Sequence, residues 1–123
     1  MKPRSVRAFS IQPRLRIRAG GDIALGPGKI ELLELVRETG SIKEAAGKMG
    51  MSYMRAWTLI RTMNRCFREP VVIAARGGSK GGGAQLTATG RAALDLYRQM
   101  DRECLEAAEP AWKQFQDLLR PSF

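Results

Sequence analysis

The sequence predicts a mainly α-helical domain that carries a small β-hairpin and ends in a long helix. Three observations predict this fold class. Between residues 29 and 67, apolar residues recur at helical spacing in three consecutive stretches. A glycine-rich loop then joins two short β-forming segments, and residues 87–109 show the periodicity of a helix about 34 Å long. The chain has 123 residues, of which 44% are hydrophobic and 27% charged, which is typical of a single globular domain.

A short strand is predicted before the first helix. In residues 14–19 arginines alternate with apolar residues, which is the pattern of a half-buried strand with its arginines outward. A Gly-Gly turn follows, and Ile23 and Leu25 extend this edge until residues 26–28, two glycines around a proline, interrupt it. From Lys29 onward the period becomes helical, and the buried face is formed by Ile30, Leu33 and Val36.

Two further helices are predicted after Gly40, which ends the first one. Ser41 and Glu44 form a capping box, in which the serine hydroxyl accepts from the amide of Glu44 and the carboxylate accepts in return from the amide of Ser41. After a glycine turn, Ser52 caps the third helix, which is predicted to end near Phe67. The buried stripe of this helix consists of Ala56, Ile60, Met63 and Phe67.

A β-hairpin and a long helix complete the chain. Residues 71–76 predict a strand, residues 77–83 a glycine-rich loop and residues 85–87 a short return strand. The last helix is predicted over residues 87–109, and Pro110 is expected to stop or kink it. Helix, short helix, glycine turn, helix and hairpin follow one another in the order of a winged helix-turn-helix.

Composition excludes several classes of site. The chain has no histidine and only two cysteines, Cys66 and Cys104, which excludes histidine-based catalytic triads, zinc sites with histidine ligands and a disulfide scaffold. No other catalytic constellation is present, so we predict no enzyme, no metal and no cofactor.

No apolar run approaches the roughly 20 residues that span a bilayer, and the N-terminus lacks the apolar part of a secretory signal. We therefore expect a soluble, cytoplasmic chain with no membrane partner.

Positive charge is concentrated in the first two thirds of the chain. Residues 1–80 hold 16 basic and 6 acidic side chains, a net charge of +10, whereas residues 81–123 hold 5 and 6. A surplus confined to one part of a folded domain predicts a face that binds a polyanion. The alternative is a basic surface that only keeps the protein soluble. Together with the order of the elements, the charge favours double-stranded DNA as the partner.

The helix after the glycine turn is the recognition helix of such a motif. Its candidate DNA-binding residues are Ser52, Tyr53, Met54, Arg55, Thr58 and Arg61. All but Ser52 are expected to read base edges, since an arginine can pair with guanine through two hydrogen bonds and a tyrosine can bond a base edge or a phosphate. Trp57 is expected to pack against the wing or the flank of the helix. The alternative is an ordinary polar helix face.

Phosphate contacts are expected from the N-terminal arm and from four basic residues, namely Lys43, Lys48, Arg76 and Lys80. The loop of residues 77–83 lies between two strands, whereas a nucleotide-binding P-loop lies between a strand and a helix. As the tip of a wing, its glycines, among them Gly81 and Gly82, allow the backbone to approach a phosphate. The alternative is a hairpin tip that makes no contact.

An apolar stripe on the last helix is the candidate dimer interface. Its members alternate in spacing between four and three, as in the seam between two packed helices: Ala93, Tyr97, Met100, Cys104, Ala107 and Ala111. The alternative is that the stripe covers only the domain's own core, which it must contact near Leu94. Because the helix is longer than so small a core needs, we expect a homodimer on a palindromic operator.

The predicted organisation is a basic N-terminal arm (1–13), a winged helix-turn-helix domain (14–86), and a long dimerisation helix with a C-terminal tail (87–123).

A set of short motifs between about residues 15 and 108 carries a family resemblance. They are Gly40-Ser41-Ile42, Ala45-Ala46, Met51-Ser52-Tyr53, Ala56-Trp57, Ile60, Met63-Asn64, residues 77–84, Leu86-Thr87 and Gly90. In this combination the chain resembles the N-terminal DNA-binding domain of the ModE-type, molybdate-responsive transcription regulators, which are related to LysR-type domains. The resemblance implies a dimer through the long helix, a recognition helix from Ser52 and a wing at residues 76–84.

Molybdate sensing is not implied by this resemblance. In the full-length family, separate C-terminal domains bind molybdate, and this chain stops at Phe123, so no small-molecule effector is expected.

Two other functions stay open. An RNA-binding accessory protein would need exposed aromatic residues for stacking on unpaired bases, for which Tyr53 is the candidate. A protein-interaction module would use the acidic long helix through Glu103 and Glu106.

Overall fold

The computed structural model describes residues 8–75 and 83–121, and it confirms a mainly helical fold with a long last helix. The elements in chain order are β1 (Ile17–Ala19), β2 (Asp22–Leu25), α1 (Pro27–Thr39), α2 (Ile42–Lys48), α3 (Tyr53–Cys66), β3 (Val72–Ala75), β4 (Gly83–Leu86) and α4 (Ala88–Gln116). The strands form two antiparallel hairpins, β1–β2 and β3–β4. The second hairpin is the wing.

One hydrophobic core lies among the helices, the wing and the start of α4. The predicted apolar faces of α1 and α3 are confirmed, since Ile30, Leu33, Val36, Ala56, Ile60 and Met63 are all fully buried. From α4, Leu94 and Tyr97 complete the core. Phe67 packs against this core only at its edge, because it follows the last residue of α3.

The N-terminal region differs from its predicted form. The expected half-buried strand is the first strand of a hairpin, and β1 is exposed along its whole length. Ile17 is 40% exposed, and a bulge separates it from Arg18. The first helix starts at Pro27, two residues before the predicted start, because proline suits the first helical position, where no backbone donor is needed. The hairpin therefore lies directly before α1.

Serine caps fix the starts of α2 and α3. The Ser41 hydroxyl accepts from the amide of Glu44 at 3.1 Å, and the Ser52 hydroxyl accepts from the amide of Arg55 at the same distance. The second half of the predicted capping box is wrong, since the amide of Ser41 donates to the hydroxyl of Thr39 at 3.2 Å. Between the helices Gly50 has a φ of 68°, a left-handed conformation that glycine adopts without strain.

The wing is anchored on the helices by polar contacts. The Asn64 side chain accepts from the amide of Val71 at 2.8 Å and donates to the carbonyl of Val72 at 3.3 Å. On the other strand, the amide of Ala84 donates to the carbonyl of Gly40 at 2.9 Å. These contacts join α3 and the end of α1 to the base of the wing.

The last helix is longer than predicted. It continues through Pro110 to Gln116, so its 29 residues extend about 43 Å. Beside it runs the segment before β1: the Tyr97 hydroxyl donates to the carbonyl of Leu15 at 2.7 Å, and Phe9 lines a concavity with Leu119. The described part of the predicted arm, residues 8–13, therefore lies near α4, and the rest of the arm lies outside the described residues.

No helix in the described ranges is long and apolar enough to cross a membrane.

Candidate nucleic-acid interface

The outward face of α3 is set by the packing of its opposite side. Ala56, Ile60 and Met63 are buried at spacings of four and three residues, so the side chains half a turn away point to solvent. These side chains, Met54, Thr58, Arg61 and Arg65, are exposed and form what we call the outward face. Met54 is 69% exposed, a high value for a large apolar side chain.

Two threonine hydroxyls of α3 donate their hydrogens to backbone carbonyls of the same helix. Thr58 donates to the carbonyl of Met54 at 2.9 Å, and Thr62 donates to the carbonyl of Thr58 at 3.0 Å. Each hydroxyl oxygen keeps lone pairs that can accept from a donor outside the chain. Thr58 therefore adds a hydrogen-bond acceptor to the outward face, and Thr62 adds one at its edge.

An aromatic pair stiffens one flank of α3. The rings of Tyr53 and Trp57 meet edge to face with centroids 6.3 Å apart, and the Trp57 indole N–H donates to the Tyr53 hydroxyl. The Arg61 guanidinium lies 5.9 Å from the centroid of the Trp57 ring. Trp57 itself is half-buried against the core. The pair thus supports Arg61 and holds Tyr53 at the start of the helix.

The opposite flank of α3 faces a basic pocket. The side chains at positions 55, 59 and 62 share this flank, and across from them lie Arg14 and Arg16 of the N-terminal region. Together with Lys29 they line an open cavity of about 620 Å³, which we call the basic pocket. Arg55 therefore lies at the side of the helix next to the hairpin, away from the middle of the outward face.

Lys29 connects the pocket to the hairpin. Its ammonium donates to the carbonyl of Ile23. Burial lowers the pKa of the Lys29 ammonium from its ordinary value, and the neighbouring Cys66 and Asp22 oppose that shift. The contact fixes β2 against the start of α1.

The other predicted phosphate contacts are placed only in part. Lys43 and Lys48 are exposed at the two ends of α2. Neither has a salt-bridge partner among the described residues. Arg76, Lys80, Gly81 and Gly82 lie outside the described residues, and the neighbouring Ala75 and Gly83 pair with each other in the wing.

The predicted dimer stripe divides into a core part and a free part. Tyr97 is 2% exposed and belongs to the core of this chain, so its assignment to a dimer interface needs correction. Burial, and after it the charge of Asp101, raises the pKa of Tyr97. Ala93 and Met100 pack against the core at its edge. The exposed members of the stripe are Cys104, Ala107 and Ala111.

Similar sequences occur in three proteins whose names refer to molybdenum or to transcriptional regulation. The chain is 42% identical over 86 residues to the molybdenum transport protein ModE of Azotobacter vinelandii, covering 70% of this chain and 32% of that protein. It is 39% identical over 89 residues to the molybdenum-pterin-binding protein MopA of Rhodobacter capsulatus, covering 72% and 31%. It is 41% identical over 71 residues to the DNA-binding transcriptional dual regulator ModE of Escherichia coli K12, covering 58% and 27%. The chain contains a ModE-type helix-turn-helix domain.

The ModE-type chain spans about a third of the length of the curated relatives it matches. No protein-family model matches it. Among solved structures, full-length CbnR in complex with its target DNA has a TM-score of 0.47 and 19% identity, covering 72% of this chain and 28% of that one. The similarity of this chain to the ModE and MopA proteins thus concerns one part of those longer proteins.

The basic pocket of this ModE-type domain was missed by the sequence analysis. Arg14 and Arg16 were predicted to face outward from a strand, and Arg55 was assigned to base readout. Nothing in local periodicity connects a position just before the hairpin with one in α3, because the two are about forty residues apart. The alternation of arginines with apolar residues was the one signal that could have pointed to it.

Proposed function

We propose that this ModE-type domain binds double-stranded DNA with sequence specificity and regulates transcription as a cytoplasmic homodimer. The observation that carries the proposal is the outward face of α3, which is polar, exposed and held rigidly by its buried side. A helix about 10–12 Å across fits the major groove of B-DNA, which is about 12 Å wide. The similarity to a DNA-binding transcriptional regulator of E. coli supports the same function.

Base readout comes from the outward face and the aromatic flank. Arg61 can form two hydrogen bonds with a guanine. Because its guanidinium already lies near the Trp57 ring, the side chain loses less conformational entropy when it binds DNA. Thr58 offers an acceptor, and the exposed Met54 side chain can contact a thymine methyl group. Tyr53 accepts from Trp57 and keeps its own hydroxyl hydrogen for a base edge or a phosphate.

Phosphate contacts around the groove come from α2 and the wing. Lys43 and Lys48 are free to bind backbone oxygens. The same role is proposed for Arg76 and Lys80, which are followed by Gly81 and Gly82, two residues with no side chain to keep a phosphate away. Such contacts place the protein on the duplex without reading its sequence.

Dimerisation would proceed through the free part of α4. Beyond the core this helix exposes Cys104, Ala107 and Ala111, together with the larger Leu105 and Phe115. A two-fold contact between two copies buries the same surface on both chains and presents two recognition helices to a palindromic operator. The small side chains allow the two helix backbones to approach closely.

Duplex binding should be steeply salt-dependent. The net charge of +10 on residues 1–80 predicts several phosphate contacts, and each neutralised phosphate releases counterions. We expect affinity for a random duplex to fall by about 10²-fold or more between roughly 50 and 200 mM salt. Fluorescence anisotropy measures this, with single-stranded RNA as competitor. A change below about threefold, or tighter binding to the RNA, would contradict duplex DNA as the partner.

Arg61→Ala should relax base preference. On a site selected from random duplexes we expect a loss of about 1–3 kcal/mol, with reduced discrimination at one position of the site. Lys43→Ala is the matched control, because removing a side chain that binds only phosphate should weaken selected and random duplexes by the same factor. Competition binding with both duplexes measures the ratio. If Arg61→Ala weakens the two duplexes equally, Arg61 does not read a base.

A further inference from the structure

The basic pocket carries more positive charge than the acidic side chains that line it can neutralise. Arg14, Arg16 and Arg55 are exposed, and none of their guanidinium groups forms a salt bridge within the described ranges. Against these three and Lys29, the one acidic side chain among the described residues that line the pocket is that of Asp22. Like charges gathered in this way repel one another, and an anion in the pocket would relieve that repulsion.

The pocket is organised by packed parts of the fold. The stem of Arg16 lies over Gly26, where a Cβ would be 3.5 Å from the Arg16 Cγ, and Lys29 holds the adjacent strand. Arg55 is fixed at the start of α3, since its amide donates to the Ser52 cap at 3.1 Å. The arginines therefore approach the pocket from two parts of the chain, the start of α3 and the segment that leads into β1.

The pocket adjoins the outward face of α3. Thr62 lines both the basic pocket and the concavity that contains Thr58, Arg61 and Arg65. When a helix occupies a major groove, residues in the middle of its exposed face meet base edges, and residues on its flank meet the backbone that borders the groove. Arg55, Arg14 and Arg16 lie on such a flank, on the side of α3 away from the wing.

We propose that the basic pocket binds a backbone phosphate of duplex DNA, so that the segment leading into the N-terminal hairpin forms a second backbone clamp opposite the wing. In this arrangement Arg55 holds the phosphate together with Arg14 and Arg16, and base readout is left to the outward face. The inference rests on the proposed function and deepens it. The chemistry required is that of a phosphate group, which a free phosphate ion shares.

The test compares two double variants of the full chain. Arg14→Gln/Arg16→Gln removes two charges from the pocket. The control Arg18→Gln/Arg37→Gln removes two exposed charges elsewhere, one from the adjacent strand β1 and one from the far end of α1. Binding to a random-sequence duplex is measured over a salt series. For the pocket variant we expect the slope of log affinity against log salt to be smaller by about one for each phosphate that the protein no longer neutralises. The control variant should keep the slope of the unmodified protein.

Phosphate ethylation interference on a selected duplex provides a second readout. We expect interference at a phosphate bordering the major groove with the unmodified protein and none at that phosphate with the pocket variant. Equal slopes and equal interference patterns for the two variants would overturn the pocket assignment while leaving the proposed function intact. If the unmodified chain binds no duplex, both the proposed function and the backbone clamp are refuted.

Calorimetric titration with inorganic phosphate separates the two sources of the anion. Saturable binding that requires Arg14 and Arg16, combined with equal DNA slopes for both variants, would overturn the clamp in favour of a free-anion site. A reduced DNA slope in the pocket variant without saturable phosphate binding to the unmodified protein supports the clamp.

Discussion

Gly90→Ala should destabilise the domain by about 3 kcal/mol or more, because it forces backbone apart where α4 crosses the wing. A Cβ on Gly90 would lie 2.2 Å from the carbonyl oxygen of Val71 and 3.0 Å from its carbonyl carbon. That carbonyl is held in place, since it accepts from the amide of Thr87 at 3.0 Å. Neither group can move without breaking the contacts that start α4.

The same contacts explain why relaxation is costly at this position. The Thr87 hydroxyl donates to the carbonyl of Pro70 at 2.6 Å and accepts from the amide of Gly90 at 3.0 Å. A shift that accommodates an alanine must lengthen these bonds and separate Leu94 from the core. We therefore expect a cooperative loss of stability, visible as a lower midpoint in urea denaturation at a fixed protein concentration.

Gly47→Ala is the matched control for this substitution. Gly47 lies inside α2, is exposed, and would place its Cβ with no atom within 4 Å. Alanine has the better helix propensity, so this variant should gain about 0.5–1 kcal/mol. If Gly90→Ala unfolds at the same urea concentration as the unmodified protein, the crossing of α4 and the wing is looser than the structure shows.

Ala111→Glu should convert the proposed dimer into a monomer and reduce operator affinity by about 10²-fold or more. Two half-sites bound by one dimer act with a high effective concentration, and a monomer loses that gain. In the dimer the substitution buries an unpaired carboxylate on each chain. In the single chain Ala111 is exposed, so the fold should remain intact. Met100 is less suited to this test because it packs against the core.

Sedimentation equilibrium and circular dichroism check the two halves of this prediction. We expect a monomer with unchanged helical content, and binding to a random duplex that weakens much less than binding to the operator. Ala92→Glu introduces the same charge at an exposed position on another side of α4 and should remain dimeric. If the unmodified chain sediments as a monomer at tens of micromolar, the stripe does not form a dimer under these conditions and the interface is refuted.

The candidate site was predictable where its signals are local. The Ser52 cap and the periodicity of Ala56, Ile60 and Met63 define where α3 begins and which side is buried. The outward face follows by elimination, and with it the positions of Thr58 and Arg61. What periodicity could not assign was the role of Arg55, which depends on what packs beside α3.

By itself the sequence determined the four helices, the serine caps of α2 and α3 and the order of elements from α1 to the wing, because hydrogen bonds between near neighbours and a repeating apolar face encode these features. Tertiary structure decided the rest. Tyr97 belongs to the core because the chain before β1 lies beside α4 and its Leu15 carbonyl accepts from the tyrosine hydroxyl. Arg55 joins Arg14 and Arg16 because the hairpin packs against α3. Such pairings join residues far apart in the chain, and only the packing of the folded chain brings them together.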